Sequence, residues 1–331
     1  MRRGKKVLLL LGSVSLMLLM AEGILRLFPP LRPMPQTYVG EYENRPSGNG
    51  YLVADSVLGW KMPAGAQLGN YRANSQGFRA AVDFSSNPGC RIIAFAGDSF
   101  TFGPGVRVEQ TFASVVQTNV AATCAYNMGV PGFGLDQIWQ TVRTQALPLH
   151  PALVVVSFIS GDFTRSQDAY RPMEGFNKPT FKLVDGRLLS RTAADRPSGL
   201  AQFVESHSSV WRLLRLADRA VAHHYPHGEW WNLNAAILDA IRADCRAAGV
   251  PIIFIYIPSR EWGAFPALRD YMERTSANFI DLSQGPNALT RDMYISAANG
   301  HLNPKGHQQV AAAVVQWMEN HPSSVVNASV Q

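Results

Sequence analysis

Apolar residues along this chain come in short unbroken runs separated by stretches with helical spacing. Arg91-Ile-Ile-Ala-Phe-Ala96, Cys124-Ala-Tyr-Asn-Met128, Ala152-Leu-Val-Val-Val-Ser-Phe158, Pro251-Ile-Ile-Phe-Ile-Tyr-Ile257 and Asn278-Phe-Ile-Asp281 read as strands. Runs this apolar suit strands covered on both faces. Between them, Gln110 to Ala122, Leu135 to Ala146 and about Asn232 to Ala248 carry the spacing of helices, the last stopped by Gly249. A final helix is expected from Asn303, as cap, with Pro304 in its first position, to about Asn320. Strands alternating with helices predict an α/β fold with a parallel sheet.

Two regions break that rhythm. Thr164 to Tyr225 contains Phe181-Lys-Leu-Val-Asp-Gly-Arg-Leu-Leu189, a hairpin pattern around Asp-Gly, and then an amphipathic helix from Ser209 to Ala222. It is expected to be an insertion over the active-site face, a lid or a substrate platform. His223, His224 and His227 at its end lack a nearby carboxylate or cysteine pattern and read as surface histidines rather than metal ligands. From Tyr38 to Pro88 the chain is rich in turn signals, with Asp55–Trp60 and Asn74–Phe78 as short hairpin elements and Trp60 as a packing residue. This lead-in is expected to pack on the sheet without chemistry of its own.

The amino terminus changes the compartment. Arg2, Arg3, Lys5 and Lys6 precede fifteen uncharged residues, Val7 to Ala21, and the apolar character continues to Phe28. Fifteen residues suit a signal-peptide core, and the span to Phe28 is long enough to cross a bilayer. Met20-Ala-Glu-Gly23 is a poor cleavage site, which favours an uncleaved anchor over a cleaved signal. Glu22 and Arg26 stand four apart, positioned to pair near the far interface. In either case the basic end stays in the cytoplasm and the rest is exported. Pro29, Pro30, Pro33 and Pro35 then read as a stiff extended spacer. Of the net charge of +6, four units belong to that basic run, so the body has no electrostatic footprint for nucleic acid. Three cysteines make neither a disulfide framework nor a zinc spacing.

The chemistry-bearing residues cluster at predicted strand ends. Gly97-Asp98-Ser99-Phe-Thr-Phe-Gly103 follows the first strand, and ligands bind beyond the carboxyl ends of such strands. Ser99 is the candidate nucleophile, with a backbone-capping turn serine as the other reading. A serine needs a base and oxyanion donors. His301, in Asn299-Gly-His-Leu-Asn-Pro304, is the candidate base, while His307 reads as a packing or capping residue. The backbone N–H groups of Ser99 and of Gly132, in Asn127-Met-Gly-Val-Pro-Gly-Phe-Gly134, are candidate donors, or the glycines form a plain tight loop. That spacing is not the dinucleotide fingerprint. An α/β-hydrolase elbow is disfavoured because Thr101 stands where G-x-S-x-G wants its second glycine.

Gly97-Asp98-Ser99, the Asn127 to Gly132 loop, the Val154 to Asp162 strand end and Gly300-His-Leu-Asn-Pro304 together resemble the SGNH, or GDSL, hydrolases, in matching order over roughly residues 90 to 320. The resemblance implies a flavodoxin-like three-layer sandwich with a five-stranded parallel sheet. It implies ester hydrolysis or acyl transfer by a serine, without metal or organic cofactor. Ser99 then matches the nucleophile, Gly132 the second oxyanion donor and His301 the base. Two positions depart from the pattern. Gly161 stands where the family has an asparagine donor, with Ser160 or a flanking N–H as substitutes. The family's acid falls on Asn299 or Ala298, with Asp281 and Asp292 near in sequence. The implied topology makes the strands opened by Cys90 and Cys124 parallel neighbours, so a disulfide between them is expected in an oxidising periplasm, with Cys245 free.

The expected organisation is a signal anchor or signal peptide at 1–28, a spacer and lead-in at 29–88, an SGNH-like domain at 89–322 with its insertion at about 164–225, and a tail at 323–331. The expected function is a serine esterase or O-acyltransferase acting on acyl esters of a cell-envelope glycan. The protein would be anchored in the inner membrane through residues 7–28 and face the periplasm. The alternative is a weak or inactive member that binds glycan or a polysaccharide-export partner.

Overall fold

The structure, a computed structural model, describes residues 2–32, 50–86, 89–259, 263–296 and 298–322. Pro33 and Pro35 of the expected spacer, the start of the lead-in and the tail lie outside the described residues. An apolar helix, α1 (Arg2–Leu25), comes first; its segment Gly4–Leu25, none of it buried, is long and apolar enough to cross a membrane. Pro29–Leu31 form a tight 3-10 turn, not the extended spacer expected. The fixed proline φ suits the first position of such a turn as well as it suits an extended chain.

The body alternates β1 (Arg91–Gly97), α2 (Ser99–Phe102), α3 (Phe112–Asn119), β2 (Thr123–Gly129), α4 (Leu135–Thr141), β3 (Leu153–Phe158) and α5 (Ser160–Arg165). Then come the inserted helices α6 (Gly199–His207) and α7 (Ser209–His224), followed by α8 (Gly228–Ala247), β4 (Ile252–Tyr256), α9 (Pro266–Arg274), β5 (Phe279–Asp281) and α10 (Pro304–Asn320). The five strands pair in the order β2-β1-β3-β4-β5, every pairing parallel. This 2-1-3-4-5 order is flavodoxin-like, with the topological switch between β1 and β3.

Alternation within each strand builds the two outer layers. Ile93 and Phe95 of β1 join Leu153, Val155, Ile253 and Ile255 on one face, covered by Phe112 and Val116 of α3 and Val310 and Val314 of α10. Ala94, Ala96, Val154, Val156 and Phe254 point the other way, under Ile138 of α4, Ile237 and Ile241 of α8, and Leu268 of α9. Cys90 and Cys124 are joined by a disulfide at the entry to β1 and β2, and Cys245 is free and buried.

The lead-in is a clamp. The hairpin Val53–Asp55 with Gly59–Lys61 buries Trp60 against Phe133 and Phe176, and the Trp60 indole N–H donates to the Pro131 carbonyl (2.9 Å). Arg79, also buried, donates from Nη1 to the Phe102 carbonyl (2.8 Å) and from Nη2 to that of Val106 (2.6 Å). The insertion opens with two small hairpins, 170–177 and 181–190. It is pinned to α4 by a fully buried pair, Lys178 with Asp136. His223 is a correction to the sequence reading. It is not a surface residue but is buried, stacked on Phe265 with ring centres 4.1 Å apart.

Candidate active site

Ser99 opens α2 directly after β1, with Asp98 as cap accepting the Phe100 N–H at 2.9 Å. As the first residue of a helix it has an N–H with no partner within that helix. The turn is tight enough to require its glycine: a Cβ on Gly97 would collide with the Thr101 hydroxyl, which itself pairs with Ser157 of β3. Asn127 braces the far side, donating to the Thr101 carbonyl (2.8 Å) and accepting the Gly129 N–H (3.0 Å).

His301 arrives from the other end of the chain. Its loop is a small hairpin in which Ile295 N–H donates to the His301 carbonyl (2.8 Å) and Asn303 N–H to that of Met293 (2.9 Å). Asn303 also caps α10 through the Gly306 N–H (3.1 Å), so the Asn-Pro start of the last helix fixes the histidine just before it. The Ser99 hydroxyl and His301 Nε2 lie 2.9 Å apart. Behind the ring, Asn299 Oδ1 accepts from Nδ1 (2.8 Å) and from the His301 backbone N–H (3.2 Å). That bond puts the ring proton on Nδ1 and leaves Nε2 to accept from the serine. Burial holds the His301 pKa below the ordinary 6.5, with Asp98 working in the opposite direction and Arg165 with the burial. The ring is therefore neutral, a base, at neutral pH.

Asp281 and Asp292 stand elsewhere. Asp281 pairs with Arg269 (2.7 Å), and Asp292 pairs with Lys305. Ser160 directs its hydroxyl to Tyr256 (2.8 Å) and His223 (3.4 Å). His307 is buried, accepting the Phe112 N–H on Nδ1 at 3.2 Å.

Gly132 sits at φ +81° in the loop after β2, beside the nucleophile turn, where a side chain would collide with the Glu174 carboxylate of the insertion. The insertion therefore lies over this rim. Gly161 opens the space on the other side. A Cβ there would stand 3.6 Å from Arg165 Nη2 and 3.3 Å from Ile159 Cδ1. Arg165 is the residue that sequence reasoning missed. Its Nη1 donates to Asp162 (2.6 Å), to Asp98 (3.2 Å) and to the Phe133 carbonyl (3.1 Å), tying the loops after β1, β2 and β3 together. Asp162 in turn accepts the Ile159 N–H (3.0 Å). Burial, and then the neighbouring Asp98 charge, push Asp162 well above the usual carboxylate range, while Arg165 pulls it down. The signal was in the sequence: Asp162-Phe-Thr-Arg165 sets opposite charges three apart at a strand end.

No protein-family model and no curated protein matches the chain. Solved structures match it. A lipolytic protein of the G-D-S-L family from Desulfitobacterium hafniense DCB-2 is 11% identical, covering 68% of this chain and 98% of that one at a TM-score of 0.40. A GDSL-like lipase from Bacteroides thetaiotaomicron is 14% identical, covering 70% and 88% at 0.40. A psychrotrophic esterase from Pseudoalteromonas sp., inhibited by monoethylphosphonate, is 12% identical, covering 70% and 100% at 0.41. These neighbours are ester hydrolases. At such identity and TM-score the likeness adds nothing to what this chain's own strand order and side-chain geometry show.

Proposed function

We propose that this chain is a serine esterase or O-acyltransferase of SGNH type. In this reading it is held at the outer face of the inner membrane by α1 and acts on acyl esters of an envelope glycan. The observation that carries the reading is the hydrogen-bonded series Ser99 Oγ, His301 Nε2, His301 Nδ1, Asn299 Oδ1, assembled from residues two hundred positions apart. In the mechanism that follows, the Ser99 oxygen attacks the ester carbonyl carbon while its proton passes to His301 Nε2. The N–H groups of Ser99 and Gly132 hold the oxyanion, and Arg165 Nη2, beside Gly161, takes the place of the asparagine donor. Collapse expels the alcohol, which takes the proton from His301. Water or a sugar hydroxyl then attacks the acyl-serine by the same route in reverse.

A fluorophosphonate probe tests the reading. Labelling of the wild type that disappears in Ser99→Ala supports it, and a wild type that does not label refutes it. A second reading, a glycan-binding or export accessory protein without turnover, draws on Gly161 and Asn299 at the family's donor and acid positions, and on the buried Glu174 side chain, paired with Arg171 (3.3 Å), filling the space against Gly132. The same absence of labelling would favour it.

A further inference from the structure

The helix α7 is amphipathic in the reverse sense for a helix lying on a globular body. Its arginines, Arg212, Arg215 and Arg219, are on the partly buried side, and Arg219 donates to Gln167 of the body at 3.2 Å. Its apolar side chains face outward: Leu213 is 40% exposed, Leu214 56%, Leu216 39% and Val221 50%. At 3.6 residues per turn, Leu213, Leu214, Ala217 and Val221 form one stripe, with Leu216 at its flank. The preceding helix α6 adds Leu200 and Phe203, both exposed. An outward stripe of this kind on a monomer marks a contact surface.

The amino-terminal helix indicates what covers it. Glu22, in the last turns of α1, accepts the backbone N–H groups of Ser209 (2.8 Å) and Val210 (3.1 Å) and the hydroxyl of Ser208 (3.0 Å). Arg26 pairs with Glu22 (2.9 Å) and donates to the His207 carbonyl (2.8 Å). The end of α1 thus supplements the amino-terminal cap of α7, Ser208, whose hydroxyl accepts the Trp211 N–H (3.1 Å), and its carboxylate suits the positive end of a helix dipole. A helix of the length of Gly4–Leu25 spans about 33 Å, close to the hydrocarbon thickness of a bilayer. Glu22 and Arg26 then lie at the interface, and α7 begins at that depth.

We propose that α7, together with α6, lies flat in the lipid interface beside the exit of α1, with its leucine stripe seated in lipid. This rests on reading α1 as a membrane anchor. A helix with leucines on one face and arginines along the other has the composition of an interfacial element. The carboxyl end of α7 also reaches the body near the site, because His223 faces Ser160 at the start of the α5 segment that holds Asp162 and Arg165.

The test uses the full chain in liposomes of zwitterionic and anionic phospholipid, with a fluorophore on single introduced cysteines and nitroxide-labelled acyl chains as quencher. The native thiols do not interfere: Cys90 and Cys124 are bonded, and burial pushes Cys245 up to about 12. Leu16→Cys reports the anchor, Leu214→Cys reports α7, and Leu189→Cys, on the exposed hairpin, is the control. The expected result is strong quenching at 16 and 214 and none at 189. Quenching at 16 without quenching at 214 overturns the interfacial helix and leaves the anchor intact. Equal quenching at 189 and 214 overturns it as non-specific adsorption. A label at 16 that is not quenched removes the anchor and the inference with it.

Discussion

Replacing Asn299 by Asp asks whether the third position of the series works by orientation or by charge. The amide oxygen already accepts from Nδ1 at 2.8 Å and from the His301 backbone N–H at 3.2 Å, so an isosteric carboxylate keeps both bonds and the same tautomer. Only the charge is new. Two unit charges about 4 Å apart attract by about 4 kcal/mol at an effective dielectric of 20. Asn299 is exposed, and screening by water reduces this to about 1 kcal/mol or less. The imidazolium formed at the transition state gains that amount, so the acylation rate should rise by up to about 5-fold. The acid limb of the pH profile moves as well. In the wild type, burial holds His301 below 6.5, so activity falls only as pH drops through that lowered value. The aspartate favours the protonated ring and moves the midpoint up by less than about one unit. Hydrolysis of a p-nitrophenyl acetate series from pH 4 to 9 reads both quantities. An unchanged plateau together with an unchanged midpoint would refute the placement of Asn299 behind the working base.

Arg165→Ala should lower kcat by about 100-fold or more with little change in KM, the cost of one oxyanion donor, and Gly161→Asn in that background should restore part of it. Because the introduced amide does not replace the bonds from Nη1 to Asp98 and Asp162, a merely structural arginine would not be rescued. Lys178→Met leaves the buried Asp136 carboxylate without its partner and should destabilise the fold by about 3–5 kcal/mol in urea unfolding, while the double variant with Asp136→Leu should recover most of the loss. Burial lowers His223 to about 4 and His307 to about 3, so both are neutral in the folded state and protonate on unfolding below 6.5. Stability is therefore complete above 6.5 and lost as pH falls from 6.5 towards 4, by about 1.4 kcal/mol per pH unit for each histidine. His307→Gln, which keeps an acceptor for the Phe112 N–H, should remove one proton from that slope in denaturant titrations between pH 4 and 6.5.

The parts of the fold that were legible in the sequence are those where local pattern and tertiary role agree. The five apolar runs are the five strands, and Asn303-Pro304 starts the last helix because cap and first-turn chemistry are local properties. Gly97-Asp98-Ser99 and His301 were legible as types of residue at strand and helix ends. What was not legible is long-range charge placement. The Asp162 and Arg165 pair shows locally as opposite charges three apart, but the arginine's role depends on Gly161 leaving space beside it and on Asp98 arriving from another strand. Arg79 is similar: a lone arginine in a turn-rich lead-in gives no local sign that it will donate to the carbonyls that end the nucleophile helix. The same reasoning explains the error at His223. A histidine at the end of an amphipathic helix reads as surface if the apolar face is assumed to point inward, and α7 is turned the other way, so its end packs on Phe265 while its leucines face out. Helical periodicity specifies which residues share a face but not which medium that face meets. For α7 the body takes the arginine side, and the residue that meets its first turn is Glu22, 187 positions before Ser209.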